Sequence, residues 1–230
     1  MKMIGLIGGM SWESSLEYYR SINETVKERL GGLHSARSLM VSVDFAEIET
    51  LQREGRWDEA AASMIDAARR LERGGADFAV LCTNTMHKLA GAMEQAMSIP
   101  LLHIADATAQ RIAARGLTAV GLLGTRFTME EDFYSGRLAE RFGLRVLVPG
   151  PAERDDVHRI IYDELVLGTI KPVSRRRYAE IMTGLAAQGA QGIILGCTEI
   201  GLLVRDEDSP LPLFDTTRIH AEAAVAYALA

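Results

Sequence analysis

One segment occurs twice in the chain, with its residue types in the same order. Residues 74–85 read GGADFAVLCTNT and residues 188–199 read QGAQGIILGCTE. Each has a small-residue turn, a short apolar run, and then a cluster of Cys, Thr, Asn or Glu. Superposing the two turns gives an offset of 114 residues, which pairs Thr83 with Cys197. Cys82 then pairs with a glycine, so the two cysteines of the chain do not correspond to one another.

The repeat extends to two further apolar runs. VGLLGT at 120–125 matches IGLIGG at 4–9 with an offset of 116, and Pro212–Phe214 matches Pro100–Leu102 with an offset of 112. Successive strand–helix units can look alike by chance. Here both order and spacing are kept, so we interpret the repeat as an internal duplication.

Strand-length apolar runs alternate with helix-length amphipathic segments along the whole chain. This alternation predicts an α/β fold with parallel sheets and crossover helices. Strands are predicted at 4–7, 39–43, 78–81, 99–104, 118–123, 144–148, 193–195 and 212–214. Helices are predicted at 13–30, 58–73, 85–97, 128–141, 153–167, 174–188 and 216–229, with a short helix and loop at 44–55.

The duplication predicts two pseudo-symmetric, doubly wound lobes. The N-terminal lobe is expected to comprise 1–100 and 210–230, and the C-terminal lobe 101–209. Ligands of such sheets bind outside the carboxyl ends of the strands. Four features of the sequence lie just past predicted strand ends: Gly8-Gly9, Asn84, Thr125 and Cys197. We expect them to converge in a cleft between the lobes.

Composition excludes several classes of partner. The formal charge is −6 without any basic stretch, which argues against nucleic acid and anionic membranes as partners. No window approaches the roughly 18 apolar residues of a membrane span, and the N-terminal apolar run is too short for a signal peptide. The two cysteines are expected to be free thiols, and the protein is expected to be cytoplasmic.

No pattern for a common cofactor or metal is present. GLIGGM lacks the G-x-G-x-x-G spacing, and a tight turn explains its glycines, although the N–H groups of such a turn could bind a small carboxylate. The five histidines show no ligand spacing, and no lysine stands at a strand end for a Schiff base. A nucleophile elbow is also missing. We therefore predict neither a metal nor a cofactor.

Cys197 is the strongest candidate for a reactive residue. It follows a predicted strand, has Gly196, Thr198 and Glu199 as neighbours, and precedes a helical turn. Backbone N–H groups and a helix N-terminus lower the pKa of a thiol, so we expect a thiolate here. The alternative is a buried structural cysteine, but the polar neighbours and the repeat partner favour a function.

Four motifs resemble one family along the whole chain. They are GLIGGMSWESS at 5–15, CTNTMH at 82–87, LLGTRFT at 122–128 and GCTEI at 196–200. In order and spacing they resemble the cofactor-independent aspartate/glutamate racemases. The SWESS and CTNTMH motifs in particular resemble those of the bacterial branch of broad-specificity or L-aspartate/glutamate-specific racemases.

The resemblance implies racemisation of an amino acid by two bases, without cofactor or metal. One thiolate removes the α-proton and a group on the opposite face returns one. Common members have a cysteine where Thr83 stands, so Thr83 replaces the first catalytic cysteine and Cys197 is the base for the L-isomer. Cys82 is expected to point away from the site, because neighbours on a strand face opposite sides.

The resemblance also implies a set of substrate-binding residues. The α-carboxylate and amine binders are expected among Asn84, Thr85, Thr125, Thr128 and Thr198, and Glu199 is expected to orient Cys197 or the ammonium group. Met10 and Gln52 are weaker assignments, on loops that reach the site. A lysine that some relatives carry before Gly168 is replaced here by Val166 and Leu167, which leaves open what binds the distal carboxylate.

Other interpretations stay open at this point. Hydantoin racemases, maleate isomerases and arylmalonate decarboxylases have similar cysteine chemistry, and a non-catalytic module that binds an amino acid is a different class. The expected partners are a small amino-acid substrate and a second copy of the chain in a homodimer.

Overall fold

The apolar runs of the sequence form eight strands in two parallel sheets. The computed structural model describes the whole chain, Met1–Ala230. In chain order the strands are β1 (Ile4–Gly8), β2 (Ser38–Ser42), β3 (Phe78–Leu81), β4 (Leu101–Leu102), β5 (Ala119–Gly124), β6 (Arg145–Leu147), β7 (Ile193–Gly196) and β8 (Leu213–Asp215). The first sheet has the order β2-β1-β3-β4 and the second β6-β5-β7-β8, with all pairs parallel. The predicted α/β fold class is confirmed.

Eleven α-helices connect and cover the strands. They are α1 (Trp12–Leu30), α2 (Phe45–Arg53), α3 (Trp57–Arg73), α4 (Ala90–Ala96), α5 (Ile104–Ala113), α6 (Arg126–Glu130), α7 (Asp132–Phe142), α8 (Pro151–Asp163), α9 (Pro172–Ala187), α10 (Ile200–Leu203) and α11 (Thr216–Leu229). Short 3₁₀ helices lie at Thr85–Leu89, Leu165–Leu167 and Asp206–Asp208. No helix is both long and apolar enough to cross a membrane.

The strand pairing preserves the sequence repeat. In the first sheet Ile7 pairs with Leu81, and in the second Leu123 pairs with Leu195. These are the pairs that the offsets of 116 and 114 put in correspondence. The offset of 112 holds as well, because the β3–β4 pair Val80–Leu102 corresponds to the β7–β8 pair Ile194–Phe214.

The chain divides into two compact units. One comprises Met1–Ile104 with His220–Ala230, and the other comprises Ala105–Ile219. The chain thus leaves the first unit at the start of α5 and returns to it within α11. The lobe boundaries predicted at 100/101 and 209/210 lie somewhat earlier in the chain, and they stay a prediction.

Each sheet is buried on both faces because its strands are covered by crossover helices. Alternate residues of β3 enter different layers of the first unit. Phe78 and Val80 pack with α1 and α11, whereas Ala79 and Leu81 pack with α3. In the second unit Ile193 and Leu195 pack with α8 and α9.

Several predicted elements differ from those observed. The helix predicted at 85–97 is a 3₁₀ helix followed by α4, and the strand predicted at 99–104 shrinks to β4 because α5, which the pattern did not predict, begins at Ile104. The helix predicted at 128–141 starts earlier and is divided between α6 and α7, since Glu131 is extended (φ −93°, ψ 153°). The one predicted at 153–167 leaves helical geometry at Glu164, a buried carboxylate that accepts a hydrogen bond from Ser174.

Candidate active site

Cys197 follows the last residue of β7 and belongs to the core of the second unit. Its side chain packs in the same cluster as Ile193 and Leu195, on the face covered by α8 and α9. It is 9% exposed. The small residue before it is required, because a Cβ at Gly196 would come within 2.9 Å of the Leu123 carbonyl oxygen. The sulfur is therefore fixed by packing at the carboxyl end of a central strand.

Glu199 lies directly against the thiol. The Cys197 Sγ donates a hydrogen bond to Glu199 Oε2 at 3.0 Å, and the Thr198 hydroxyl donates to the same oxygen at 2.7 Å. Glu199 is buried, so its carboxylate is held by these two neighbours away from bulk water.

The pKa of the Cys197 thiol is raised well above its usual value, which corrects the expectation of a ready thiolate. Burial is the main cause, and the nearby Glu199 carboxylate adds to it by charge and by hydrogen bonding to the thiol. Backbone N–H groups of Thr198 and Glu199 oppose the shift, as the sequence predicted. These hydrogen bonds lower the pKa by less than burial raises it, because α10 has only four residues and burial removes water from the sulfur.

The short helix after Cys197 is tied to its surroundings. Arg175 on α9 donates from Nε to the carbonyl oxygen of Leu203 at 2.6 Å, which satisfies the C-terminal end of α10. Gly201 lies so close to Asp215 that a Cβ there would be 2.8 Å from Oδ2. These contacts limit the movement of the segment that carries Thr198 and Glu199.

Thr125 and Thr128 lie at the neighbouring strand end. Gly124 of β5 pairs with Gly196 of β7, so Thr125 and Cys197 both follow directly after paired residues. Thr125 is the N-cap of α6, and its hydroxyl accepts the Thr128 N–H at 3.3 Å. A Cβ at Gly124 would meet the Thr128 side chain at 3.1 Å, so the methyl-bearing side chain packs against the strand ends.

Thr83 takes the corresponding position in the first unit. Thr83 is the second residue after β3, and Cys197 is the first residue after β7, because the bounds of these two four-residue strands differ by one position in the repeat. Both residues follow the same strand register. The exposed fraction of Thr83, 8%, resembles that of Cys197. The backbone around it is tightly held. Ser14 donates to the Cys82 carbonyl oxygen at 3.2 Å, and His87 Nδ1 lies 2.7 Å from the Thr83 carbonyl oxygen.

Cys82 points away from Thr83 into the core, as strand alternation predicts. It is fully buried among Val80, Tyr18 and Ala221. Burial raises the pKa of this thiol far above its usual value. A reactive thiolate at Cys82 is therefore strongly disfavoured.

The other residues of the first unit that the sequence predicts for the site are also buried. Asn84 and Thr85 follow Thr83 into the 3₁₀ helix, and Met10 packs in the core cluster that contains Leu81. Gln52 lies on the last turn of α2 rather than on a loop, and its Nε2 donates to the Met86 sulfur at 3.0 Å.

Gly8-Gly9 forms the tight turn that the sequence predicts, and one of its N–H groups is used within the protein. The Gly9 N–H donates to the Ser15 hydroxyl at 2.7 Å. Gly9 has φ +93°, and a Cβ there would lie 2.2 Å from the Val43 carbonyl oxygen. The turn requires glycine for close packing, and this N–H is used within the protein instead of being available to a carboxylate.

The predicted residues thus fall into two groups, each assembled at the carboxyl ends of one sheet. The first unit contains Met10, Gln52, Thr83, Asn84 and Thr85, and the second contains Thr125, Thr128, Cys197, Thr198 and Glu199. Sequence reasoning missed Ser14 and His87 as supports of the Thr83 backbone, although both lie inside motifs that it singled out. The structure contains no group of three or more His, Cys, Asp or Glu side chains that could hold a metal ion.

Comparison with known proteins identifies the family of this chain. The Asp/Glu/Hydantoin racemase family model matches residues 7–224. A curated relative, the broad specificity amino-acid racemase RacX of Bacillus subtilis, is 27% identical over 180 residues, covering 75% of this chain and 74% of RacX.

Two solved structures are similar over the full length of both chains. A candidate Asp/Glu racemase from Yersinia pestis is 56% identical with a TM-score of 0.93. An aspartate racemase homologue from Pyrococcus horikoshii OT3 is 34% identical with a TM-score of 0.85. The family model covers most of the chain, and two solved structures that it matches over the full length are 56% and 34% identical to it. The chain therefore belongs to the Asp/Glu/hydantoin racemase family.

Proposed function

We propose that this protein is a cofactor-independent amino-acid racemase in which Cys197 and Thr83 act on opposite faces of the substrate α-carbon. The observation that carries the proposal is the correspondence of the two residues. Each follows a central strand in a sheet of the same strand order and register, in a chain whose relatives include amino-acid racemases. A twofold repeat supplies one proton-transfer group from each half.

Cys197 is the group that removes the α-proton of the L-isomer. At rest it is a neutral thiol that donates to Glu199. Glu199 accepts that proton, the positive charge of the substrate ammonium group stabilises the thiolate that forms, and the thiolate takes the proton from Cα. The Cα–H bond breaks, an S–H bond forms, and the electron pair moves into the substrate carboxylate.

Thr83 supplies a proton to the opposite face of the carbanion from its hydroxyl. Water then reprotonates the Thr83 alkoxide and takes up the proton held by Glu199, so the protein returns to its starting protonation state. A threonine hydroxyl is a poor base but an adequate proton donor to a carbanion. We therefore expect saturating L-substrate to turn over faster than saturating D-substrate. The two kcat/KM values must still be equal, because enantiomers have the same free energy in water.

N–H and hydroxyl donors at the strand ends are proposed to stabilise the carbanion. Backbone N–H groups of Asn84, Thr85 and Thr198 are suited to bind the α-carboxylate, where charge builds up during the reaction. Thr125 and Thr128, at the start of α6, are proposed to bind the substrate's polar groups, and Met10 and Gln52 to border its side chain. The substrate is proposed to be aspartate, glutamate or a related small amino acid.

We also propose that the protein is a homodimer. Trp12, Leu16 and Tyr19 project from one face of α1 at i, i+4 and i+7 spacing, and they are 66%, 45% and 52% exposed. Three large apolar side chains aligned on one helix face are suited to pack against another protein surface. A second copy of the same stripe, related by a twofold axis, is the proposed occupant.

The proposal is tested by NMR in deuterated water with a panel of L-amino acids. The expected result is loss of the Cα proton signal together with formation of the D-enantiomer. In the Cys197→Ser variant both should disappear, because the hydroxyl of serine is a far weaker acid than a thiol. Amino-acid binding without Cα exchange would instead indicate a binding module, and exchange with a hydantoin alone would indicate the related racemase class.

A further inference from the structure

His87 makes two hydrogen bonds that fix both of its ring nitrogens. Nδ1 lies 2.7 Å from the carbonyl oxygen of Thr83, and Nε2 lies 3.2 Å from the backbone nitrogen of Ile104. The side chain is 2% exposed, so no bulk water competes for either nitrogen.

These two partners determine the protonation of the ring. The Ile104 N–H can only donate, so Nε2 must be the acceptor. Nδ1 therefore carries the proton and donates it to the Thr83 carbonyl oxygen. His87 is a neutral imidazole in a single tautomer, and its hydrogen bond to Thr83 has a fixed direction.

That hydrogen bond sets the orientation of the peptide between Thr83 and Asn84. The peptide is planar and its C=O and N–H point in opposite directions. A carbonyl held by His87 consequently directs the Asn84 N–H away from the imidazole. The next peptide toward the N-terminus is held independently, since the Cys82 carbonyl oxygen accepts a hydrogen bond from Ser14. The backbone on both sides of the Thr83 Cα is thus constrained by side chains.

Other histidines hold His87 in place. Its ring centroid lies 4.5 Å from that of His103 and 5.9 Å from that of His220. His220 Nε2 lies 2.8 Å from the Leu102 carbonyl oxygen, and His220 Nδ1 lies 2.8 Å from the Tyr18 hydroxyl oxygen. The imidazole that contacts Thr83 is therefore packed within a buried, hydrogen-bonded cluster of the first unit.

We propose that His87 is a positioning residue that orients the Thr83–Asn84 peptide, and with it the Thr83 hydroxyl and the Asn84 N–H, for proton delivery to the substrate. This inference rests on the proposed racemase function. It assigns to the histidine of the CTNTMH motif an action through the backbone, without contact with the substrate.

Two conservative variants separate the two hydrogen bonds. In His87→Asn the amide Nδ2 takes the place of Nδ1 and can still donate to Thr83, whereas the bond from Ile104 is lost. In His87→Gln the amide oxygen reaches the place of Nε2 and can still accept from Ile104, whereas the bond to Thr83 is lost. Tyr18→Phe is the matched control, because it removes a hydrogen bond from the same cluster without affecting Thr83.

The readout is a ratio that partial unfolding does not alter. Starting from an L-amino acid in deuterated water, deuterium that returns to the original face gives labelled L-isomer, and delivery from the Thr83 side gives D-isomer. Loss of active protein lowers both products equally. Misplacement of the Asn84 N–H slows formation of the carbanion and so lowers both products equally. Misplacement of the Thr83 hydroxyl lowers only the D-isomer, and displacements of about 1 Å cost up to about 100-fold in rate.

The expected result is a D-to-labelled-L ratio at least about tenfold lower in His87→Gln than in the wild type, with the ratio largely kept in His87→Asn and unchanged in Tyr18→Phe. An unchanged ratio in His87→Gln, in a wild-type background that does exchange and invert, overturns the positioning role and leaves the racemase proposal standing. The reverse pattern, with His87→Asn impaired and His87→Gln normal, also overturns it, since the bond to Ile104 would then be the important one. Absence of Cα exchange in the wild type is the separate result that defeats the proposed function.

Discussion

The Sγ of Cys197 lies 3.0 Å from Oε2 of Glu199, and the carboxylate accepts the thiol proton in a hydrogen bond. The pair is buried, and burial together with the negative charge of Glu199 keeps the resting sulfur protonated. A carboxylate at this position therefore opposes the thiolate at rest, and it is also the nearest acceptor for the proton that must leave before the sulfur can act as a base.

Glu199→Gln is expected to change thiol acidity and racemisation in opposite directions. Removing the negative charge lowers the pKa of Cys197, so alkylation of the thiol should shift to lower pH. Racemisation should fall by about 100-fold, because the thiol loses its proton acceptor. Alkylation rates measured across pH, alongside NMR exchange rates, check both effects. A variant with full racemase activity would remove Glu199 from the mechanism.

Thr83→Cys is expected to raise turnover of the D-isomer. A thiolate is formed far more readily than an alkoxide, so the substituted residue should abstract the α-proton of the D-isomer faster than Thr83 does. Separate kcat measurements with saturating L- and D-substrate check the change, and the two kcat/KM values should remain equal within error. A D-turnover below that of the wild type would argue against this alignment of the repeat.

Cys82→Ser is expected to lower stability with little effect on kinetics. The thiol is fully buried and packed among apolar side chains, and its one weak contact is with the Val80 carbonyl oxygen at 3.8 Å. A serine hydroxyl there is poorly satisfied, which costs about 1–3 kcal/mol in the free energy of unfolding. Urea denaturation measures the loss. Abolished racemisation in well-folded Cys82→Ser protein would reverse the assignment of Thr83.

His220 is expected to make the protein less stable as the pH falls. Burial lowers the pKa of its imidazole from 6.5 to about 4. Between these two values the unfolded chain binds a proton that the folded protein does not, so the free energy of unfolding decreases as pH falls from about 6.5 to about 4. The full loss is about 3 kcal/mol.

Unfolding followed from pH 7 to pH 4 in the wild type and in His220→Gln isolates this contribution from that of the carboxylates. The variant is less stable at neutral pH, because it disturbs the contact with Tyr18, but it should show a shallower dependence on pH. Parallel curves for the two proteins would count against a buried, neutral His220.

Leu16→Arg is expected to convert the proposed dimer to monomers. A charged side chain in the middle of the Trp12–Tyr19 stripe would be buried without a partner. Sedimentation velocity measures the mass of each species. Glu28→Arg, an exposed charge change near the other end of α1, is the control and should leave the mass unaltered. A wild-type protein that sediments as a monomer at high concentration would refute the dimer directly.

Much of the fold could be predicted because its signals are local. The β3 run Phe78–Leu81 has the bounds that its apolar pattern predicts. Errors arose where tertiary contacts compete with local propensity. Glu164 leaves the helical conformation although the pattern around it continues, because its carboxylate is held by Ser174 and Lys171.

The residues proposed for catalysis could be found from sequence because duplication left a detectable register, in which Thr83 corresponds to Cys197. Their supports could not. His87 acts on a backbone oxygen four residues before it and on a backbone nitrogen seventeen residues after it, and neither contact leaves a pattern in residue type.

The sequence by itself determined the alternation of strands and helices, the correspondence of the two halves, and the likeness to a family of racemases. Periodicity and spacing carry these properties, and both are written along the chain. Only the tertiary structure decided that the Cys197 thiol is protonated at rest. Its pKa depends on how much water is excluded and on which charge lies against the sulfur, and packing from residues distant in sequence sets the exclusion of water.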